Sequence, residues 1–212
     1  MEEQFLYHGS RGGIKGTIQP VSRTSCDFGI GFYMGENKYQ AASLVYDSER
    51  PVLYTLRLEI PNETKILKLE EKNWLYAVLA NRGRVKEFNT LPAAKFWKEY
   101  TGKFDLIVGK IADDQMNAAM RRFAQSGMTD RALYACLQKV QYGNQYAAKT
   151  EWMCSHIEVI EEIEVNEHTF PGMEDYMQGK FEEAQNVVQE ETVRYLREGL
   201  YLSEIIAAEK TK

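Results

Sequence analysis

The chain has 212 residues, of which 44% are hydrophobic and 27% charged, and its formal net charge is -5 at pH 7. This length allows one substantial hydrophobic core, with or without an appendage. No stretch approaches the roughly 18 apolar residues of a membrane helix, and the acidic start at residues 1–3 lacks the positive flank of a signal peptide. We therefore expect a cytoplasmic protein that does not enter a membrane.

The net charge is distributed unevenly along the chain. Residues 1–157 contain 21 Lys and Arg against 17 Asp and Glu, whereas residues 158–212 contain 5 against 14. A mildly basic body therefore precedes an acidic tail. Such a body can attract a polyanionic ligand, although a solvated surface of mixed charge has the same composition.

The first half of the chain reads as strands separated by glycine-rich loops. A short strand over residues 5–8 ends at Gly9, and a loop over 21–30 leads into an aromatic strand at 31–34. A helix is predicted over 38–46 with Asn37 as its cap. Further strands are expected over 52–60, where apolar and polar residues alternate strictly, and over 65–69.

Helices interrupt the strand order in the second half. Helices are predicted over 73–85 and 93–100 with a break at Pro92, from Asp113 or Asp114 to 126, over 129–140 and over 173–209. Strands are predicted over 106–108, 145–149 and 157–165. This irregular order predicts an α+β fold, with a main domain over 1–166 and an acidic helical extension over 167–212.

The sequence offers little support for a metal site or disulfides. It contains three widely separated cysteines, Cys26, Cys136 and Cys154. An odd number without a CxxC pair predicts reduced thiols. Cys154 and His156 lack a second ligand cluster, and the Asp113-Asp114 pair is better explained by helix capping, so we predict no bound metal.

Three short motifs follow one another along the chain. Residues 6–10 read Leu-Tyr-His-Gly-Ser, residues 29–33 read Gly-Ile-Gly-Phe-Tyr, and residues 144–146 read Asn-Gln-Tyr. In this order they resemble the motifs of the His-Tyr-Glu class of ADP-ribosyltransferases, of the diphtheria-toxin and poly(ADP-ribose)-polymerase type. The resemblance implies a split β-sheet with interspersed helices and a C-terminal helical appendage.

The layout is also similar to a bacterial family of that superfamily, of unknown function, which has YHGS, DFGxGFY and NQxxxKT motifs. These stand here at residues 7–10, 27–33 and 144–150. The resemblance extends over roughly residues 5–165 in order and spacing. It implies an enzyme that uses NAD as a co-substrate.

The resemblance also implies roles for individual residues. The implied catalytic residues are His8, Tyr33 and Gln145, and the implied NAD-binding residues are His8, Gly9, Ser10, Arg23, Tyr33 and Tyr46. His8 would bind a ribose hydroxyl, Gly9 would offer its backbone to the nicotinamide carboxamide, and Tyr33 would stack on the nicotinamide ring. Arg23 would meet a phosphate. The second stacking aromatic of the polymerases falls here at Leu44, with Tyr46 and Tyr39 as replacements.

The third motif departs from the polymerases, which have Glu where Gln145 stands. Gln145 can position a ribose hydroxyl, but an amide carries no charge and cannot act as a general base. Glu151 lies ~20 Å further along an extended strand at ~3.3 Å per residue, so it does not substitute. The expected activity is transfer of a single ADP-ribose to a protein or nucleic acid.

Two alternatives to an enzyme remain open. One is a catalytically silent module that binds NAD or ADP-ribose, and the other is a toxin-like interaction protein controlled by its acidic tail or by an inhibitory partner protein. Several basic residues could also touch nucleic-acid phosphates, although ordinary solvated helix faces explain them better. These residues are Arg82, Arg84, Lys86, Arg121 and Arg122.

Overall fold

The structure is a computed structural model that describes residues 2–111, 117–140 and 143–211. Its strands are β1 (Glu2–Ser10), β2 (Phe32–Gly35), β3 (Val52–Ile60), β4 (Ile66–Leu69), β5 (Leu106–Lys110), β6 (Asn144–Ala148) and β7 (Ile157–Glu164). Its helices are α1 (Lys38–Ser43), α2 (Glu71–Arg82), α3 (Lys86–Asn89), α4 (Pro92–Thr101), α5 (Asn117–Ala124), α6 (Asp130–Lys139), α7 (Glu151–Cys154), α8 (Met173–Arg194) and α9 (Leu202–Lys210). This mixture confirms the α+β class. The predicted caps Asp113 and Asp114 lie outside the described residues.

One mixed sheet contains these strands in the order β4-β5-β6-β2-β1-β3-β7. The pair β4 and β5 is parallel, and the other neighbours are antiparallel. β1 pairs with β3 along its whole length, whereas in the described residues it pairs with β2 at one position, Tyr7 with Gly35. One ladder position thus joins two halves of this sheet, β4-β5-β6-β2 and β1-β3-β7, and the pairing of β1 with β2 ends there.

The two faces of the sheet are covered differently. Side chains of a strand alternate between faces, so Leu6 and His8 point to one face and Tyr7 to the other. Leu6 and Phe32 belong to a buried cluster that includes Met153 of α7. This cluster continues across both halves of the sheet and holds them together on that face.

On the opposite face each half of the sheet has its own helical cover. α1 packs Ala42 against Leu53 of β3 in a small cluster that also contains Phe170. α2 covers the other half, where its fully buried Trp74 lies in one cluster with Ile107 of β5. Two separate cores therefore flank the junction of β1 and β2 on this face.

Pro92 and the segment before it differ from the prediction. Pro92 does not break a helix but is the first residue of α4, where its missing N–H has no intrahelical partner to lose. α2 ends earlier than predicted because Gly83 takes a left-handed conformation with φ 64° and caps it. The short α3 then leads into α4.

The C-terminal part, predicted to be helical over 173–209, forms two helices, with residues 195–201 between them outside any helix. The chain leaves the helical path after Arg194, and Leu200 exchanges hydrogen bonds with Asp130 at the start of α6. Ala184, Val188, Leu202 and Ile205 of α8 and α9 lie in the same hydrophobic cluster as α2 and α6. Whether residues 167–212 behave as a separate unit stays a prediction.

Candidate functional site

His8 lies near the end of β1, at the point where the two halves of the sheet separate. Its ring lies 4.4 Å from that of Phe32, centroid to centroid, and its Nδ1 is 2.7 Å from the Tyr33 carbonyl oxygen. Because a carbonyl only accepts, Nδ1 carries the hydrogen, and Nε2 of the neutral ring is an acceptor. Burial lowers the pKa of His8 below its ordinary 6.5, although the bond to Tyr33 opposes this shift. The imidazole is therefore neutral at pH 7.

Tyr33 anchors the loop that precedes its own strand. Its hydroxyl donates to the Gly29 carbonyl at 2.7 Å and accepts from the Phe28 N–H at 3.0 Å. Its ring stacks on that of Phe28, with centroids 6.4 Å apart and planes inclined by 22°. Burial, followed by the nearby Asp27 carboxylate, raises the pKa of Tyr33 far above its ordinary 10.0. Tyr33 is therefore a neutral phenol whose hydroxyl is fully used by the loop.

Gln145 lies on β6 and is held by a buried ion pair. Its position faces Gly35 of β2, and its Nε2 donates to Asp27 Oδ2 at 2.7 Å and to the Lys110 carbonyl at 3.1 Å. Asp27 Oδ1 lies 2.5 Å from Arg82 Nε, and the side chains of Asp27 and Arg82 are only 8% and 13% exposed. Arg82, Asp27 and Gln145 thus form a chain of polar contacts. The prediction that Arg82 belongs to a solvated helix face is wrong, because the buried Asp27 carboxylate holds its guanidinium.

Lys149 holds the same loop, residues 22–31, from outside it, and Ser22 holds it from within. Lys149 Nζ donates to the Phe28 carbonyl, and burial lowers the pKa of this lysine from 10.5 to about 8. Ser22 Oγ accepts from the Gly31 N–H at 3.1 Å. The loop is consequently tied to β2, β6 and α2 and is a rigid part of the site.

Asp27, Arg82 and Lys149 were not among the residues predicted to bind NAD or to act in catalysis. Asp27 opens the DFGxGFY motif and Lys149 stands in the NQxxxKT motif, so these polar positions were the available signal. Arg82 belongs to neither motif. Its partner lies 55 residues away in the sequence, and no local pattern links them.

Gly9 and Ser10 lie at the end of β1. A Cβ at Gly9 would overlap the Ala41 carbonyl oxygen and approach Val45 Cγ1 to 3.1 Å. Close packing of α1 on β1 therefore explains this glycine without a ligand. Ser10 pairs with Val52 of β3, and its predicted contact with NAD stays a prediction.

Arg23 and Tyr46 lie outside the chain of polar contacts that Arg82, Asp27 and Gln145 form. Arg23 is exposed, and its guanidinium forms no ion pair or hydrogen bond with the described residues. The Tyr46 hydroxyl donates to Glu167 Oε2 at 3.2 Å, and Tyr39 packs its ring on Phe170. The aromatic residues of α1 and its C-terminal flank thus contact the segment after β7. Within the described residues, neither Tyr39 nor Tyr46 forms a hydrogen bond or a ring contact with His8 or Tyr33.

One open cleft lies between α2 and α6, and a second lies over β4, β5 and β6, with Lys110, Asn144 and Tyr146 in its wall. They measure about 440 and 430 Å³, and Glu71 and Tyr134 line both. Neither is lined by His8, Tyr33 or Gln145.

Among the described residues, no group of three His, Cys, Asp or Glu side chains could hold a metal ion, and none of the described helices is long and apolar enough to cross a membrane.

These observations define an α+β protein in which a neutral tyrosine and a glutamine hold one loop, while a neutral histidine binds the backbone of the same tyrosine near the place where the pairing of β1 and β2 ends. The chain belongs to the family described as "Protein of unknown function (DUF3990)", whose model matches residues 4–159. The matched range contains most of the sheet and all the polar residues of the candidate site, and it ends before α8 and α9. No curated protein and no solved structure matches the chain.

Proposed function

We propose that the protein is a mono-ADP-ribosyltransferase that binds NAD where β1 and β2 separate. The observation that carries this proposal is the hydrogen bond between His8 and the Tyr33 carbonyl at that separation, with Gln145 on the adjoining strand β6. These are the three positions to which the motif resemblance assigns NAD binding and catalysis. The split sheet of this class of transferases is part of the same proposal.

The chemistry of the site fits the cleavage of NAD. Rupture of the bond between nicotinamide and ribose leaves the bonding electron pair on nicotinamide and develops positive charge on the ribose, so groups that hold the ribose and tolerate that charge accelerate the reaction. His8 Nε2 and Gln145 Oε1 are acceptors for ribose hydroxyls. The face of Tyr33 opposite Phe28 is the surface for the nicotinamide ring, in an offset aromatic contact.

Transfer is completed by a nucleophile of the acceptor, which bonds to the ribose carbon and gives up its proton to solvent water. Gln145 cannot take that proton, so the acceptor must be nucleophilic without help from this residue. Transfer of one ADP-ribose follows, rather than synthesis of a polymer. The acceptor is a protein or a nucleic acid.

A silent NAD-binding module is the second candidate, and one observation favours it. Both amide hydrogens of Gln145 point to Asp27 and Lys110, so the side chain offers no proton and no charge to a reaction. Such a site would bind NAD and leave it intact.

Labelled NAD separates these functions. The wild type, incubated with labelled NAD and a cell lysate, is expected to release nicotinamide and to label a macromolecule. His8→Ala removes the Nε2 atom that accepts the ribose hydroxyl, and its activity is expected to be lower by at least about tenfold. The matched control is His168→Ala, because His168 is exposed and its ring forms no hydrogen bond, ion pair or ring contact with the described residues.

Calorimetric titration with NAD completes the experiment. Binding without nicotinamide release would identify the silent module. An absence of binding in the folded wild type would contradict both candidates.

A further inference from the structure

The side-chain amide of Gln145 has only one chemically allowed orientation. Its nitrogen lies 2.7 Å from Asp27 Oδ2 and 3.1 Å from the Lys110 carbonyl oxygen. Both partners are pure acceptors, and an amide nitrogen has two hydrogens to donate. Both hydrogens are therefore used, and Oε1, which accepts no hydrogen bond from the described part of the chain, is the atom available to a ligand.

Asp27 is itself held in place. Its second oxygen contacts Arg82 at 2.5 Å, and the residue is 7% exposed. The next residue, Phe28, is fixed at its N–H by the Tyr33 hydroxyl and at its carbonyl by Lys149. Asp27 therefore cannot turn away from Gln145 without breaking several buried contacts.

This arrangement explains why residue 145 is glutamine. A glutamate in the same place would direct its carboxylate at another carboxylate and at a carbonyl oxygen. Two like charges at hydrogen-bond distance cannot both ionise without a large cost. Residues 27 and 145 are thus chemically matched, as acceptor and donor.

We propose that Asp27, held by Arg82, is a positioning residue that turns Gln145 so that Oε1 accepts a ribose hydroxyl of NAD. This inference rests on the proposed function. A hydrogen bond to a carboxylate also polarises the amide and strengthens its oxygen as an acceptor. The charge of the buried Asp27 thereby acts on the ribose through the neutral side chain of Gln145.

An exchange of the carboxylate and the amide between positions 27 and 145 tests the match. Gln145→Glu places two carboxylates together. Asp27→Asn removes the charge that faces Arg82 and turns an amide NH2 group toward another donor, either the Gln145 amide nitrogen or the Arg82 guanidinium. Each is expected to weaken NAD binding by about tenfold or more. In the double variant, which carries both substitutions, the introduced amide donates to the introduced carboxylate and accepts from Arg82. This protein is therefore expected to bind NAD at least about tenfold more tightly than Gln145→Glu alone.

The control is Asp105→Asn, since this carboxylate also accepts hydrogen bonds, from Lys65 N and Thr150 Oγ1, but does not touch Gln145. Its NAD affinity is expected to equal that of the wild type. NAD affinity is measured by calorimetry, nicotinamide release gives kcat and KM, and thermal unfolding shows that each variant is folded.

The outcomes separate the inference from the function on which it rests. A wild type that neither binds nor cleaves NAD refutes the proposed function. A wild type that binds NAD, with a double variant no tighter than Gln145→Glu, refutes the positioning role. The positioning role is also refuted if Asp27→Asn lowers the unfolding midpoint and leaves NAD affinity unchanged.

Discussion

His8 and Gln145 reach the site with their hydrogens already committed to the protein. Nδ1 of His8 donates to the Tyr33 carbonyl, and both hydrogens of the Gln145 amide go to Asp27 and Lys110. What remains on each side chain is an acceptor, Nε2 or Oε1. Two neutral acceptors suit the hydroxyls of a sugar better than a phosphate, whose oxygens are themselves acceptors.

Gly9 provides a test of packing at the scale of one residue. We expect Gly9→Ala to lower the free energy of unfolding by about 1–3 kcal/mol, because the new methyl group overlaps the Ala41 carbonyl under α1. Urea denaturation measures this loss. Gly12→Ala is the control, since a Cβ there meets nothing within 4 Å and should change stability by no more than about 0.5 kcal/mol. Equal stabilities of the two variants would show that α1 does not press on β1.

The sequence motifs predicted His8, Tyr33 and Gln145 as site residues, but they did not predict the contact between Asp27 and Gln145. His8 and Tyr33 stand in short motifs beside glycines, so the local pattern carries the information. Asp27 and Gln145 are 118 residues apart, and nothing in the sequence near either residue announces the contact. The tautomer of His8 was equally hidden, because it depends on a carbonyl of another strand.

Among the elements, the 22–31 loop depends most on side chains from elsewhere. Tyr33 and Lys149 hold Phe28, Arg82 holds Asp27, and Ser22 closes the loop on Gly31. A loop of this length without regular structure is rigid only because its backbone groups have such partners. Its rigidity is what fixes the acceptor of Gln145.

Lys149 gives this loop a measurable pH dependence. Its pKa is about 8 in the folded protein against an ordinary 10.5, so between these values the unfolded chain binds more protons, and stability rises with pH. Below pH 8 both states are protonated, and this contribution is constant. We expect the unfolding free energy of the wild type, minus that of Lys149→Met, to increase from pH 8 to pH 10.

The subtraction removes the opposite effect of two cysteines. Burial raises the pKa of Cys136 and Cys154 to about 12, which lowers stability above their ordinary value of 9.0 in both proteins alike. Lys95→Met, on the exposed face of α4, controls for the loss of one positive charge. A difference between wild type and Lys149→Met that stays constant with pH would contradict the buried placement of the lysine.

Elements with a long periodic signal were predicted closely. The nine alternating residues 52–60 correspond to β3, Val52–Ile60, because a strand buried on one face shows period two. α7 was missed because four residues show no helical period. The position of the break between α8 and α9 was not predicted, because Leu200 is held by Asp130 of α6, a contact distant in sequence.

At the scale of the whole molecule, the acidic tail is part of the structure that carries the site. Val188, Leu202 and Ile205 are buried in the cluster that also contains α2, and α2 ends in Arg82. Glu191 is 2% exposed and binds Lys139 of α6 at 2.7 Å. Packing of this kind stabilises the core, whether or not the tail also regulates a partner.

Tryptophan fluorescence can test this dependence, because Trp74, Trp97 and Trp152 all precede residue 167. We expect Ile205→Ala to lower the unfolding free energy reported by these tryptophans by about 2–5 kcal/mol, as for other buried isoleucines. Val193→Ala, at a side chain 71% exposed, should change it by no more than about 0.5 kcal/mol. An unaltered fluorescence transition in Ile205→Ala would mean that residues 167–212 unfold separately from the body.

A crystal structure with an unhydrolysable NAD analogue tests the central claim most directly. The account predicts the nicotinamide ring on Tyr33 and ribose hydroxyls within hydrogen-bond distance, about 2.5–3.2 Å, of His8 Nε2 and Gln145 Oε1. An analogue bound in the cleft between α2 and α6 or in the cleft over β4, β5 and β6, with His8 and Gln145 untouched, would contradict it.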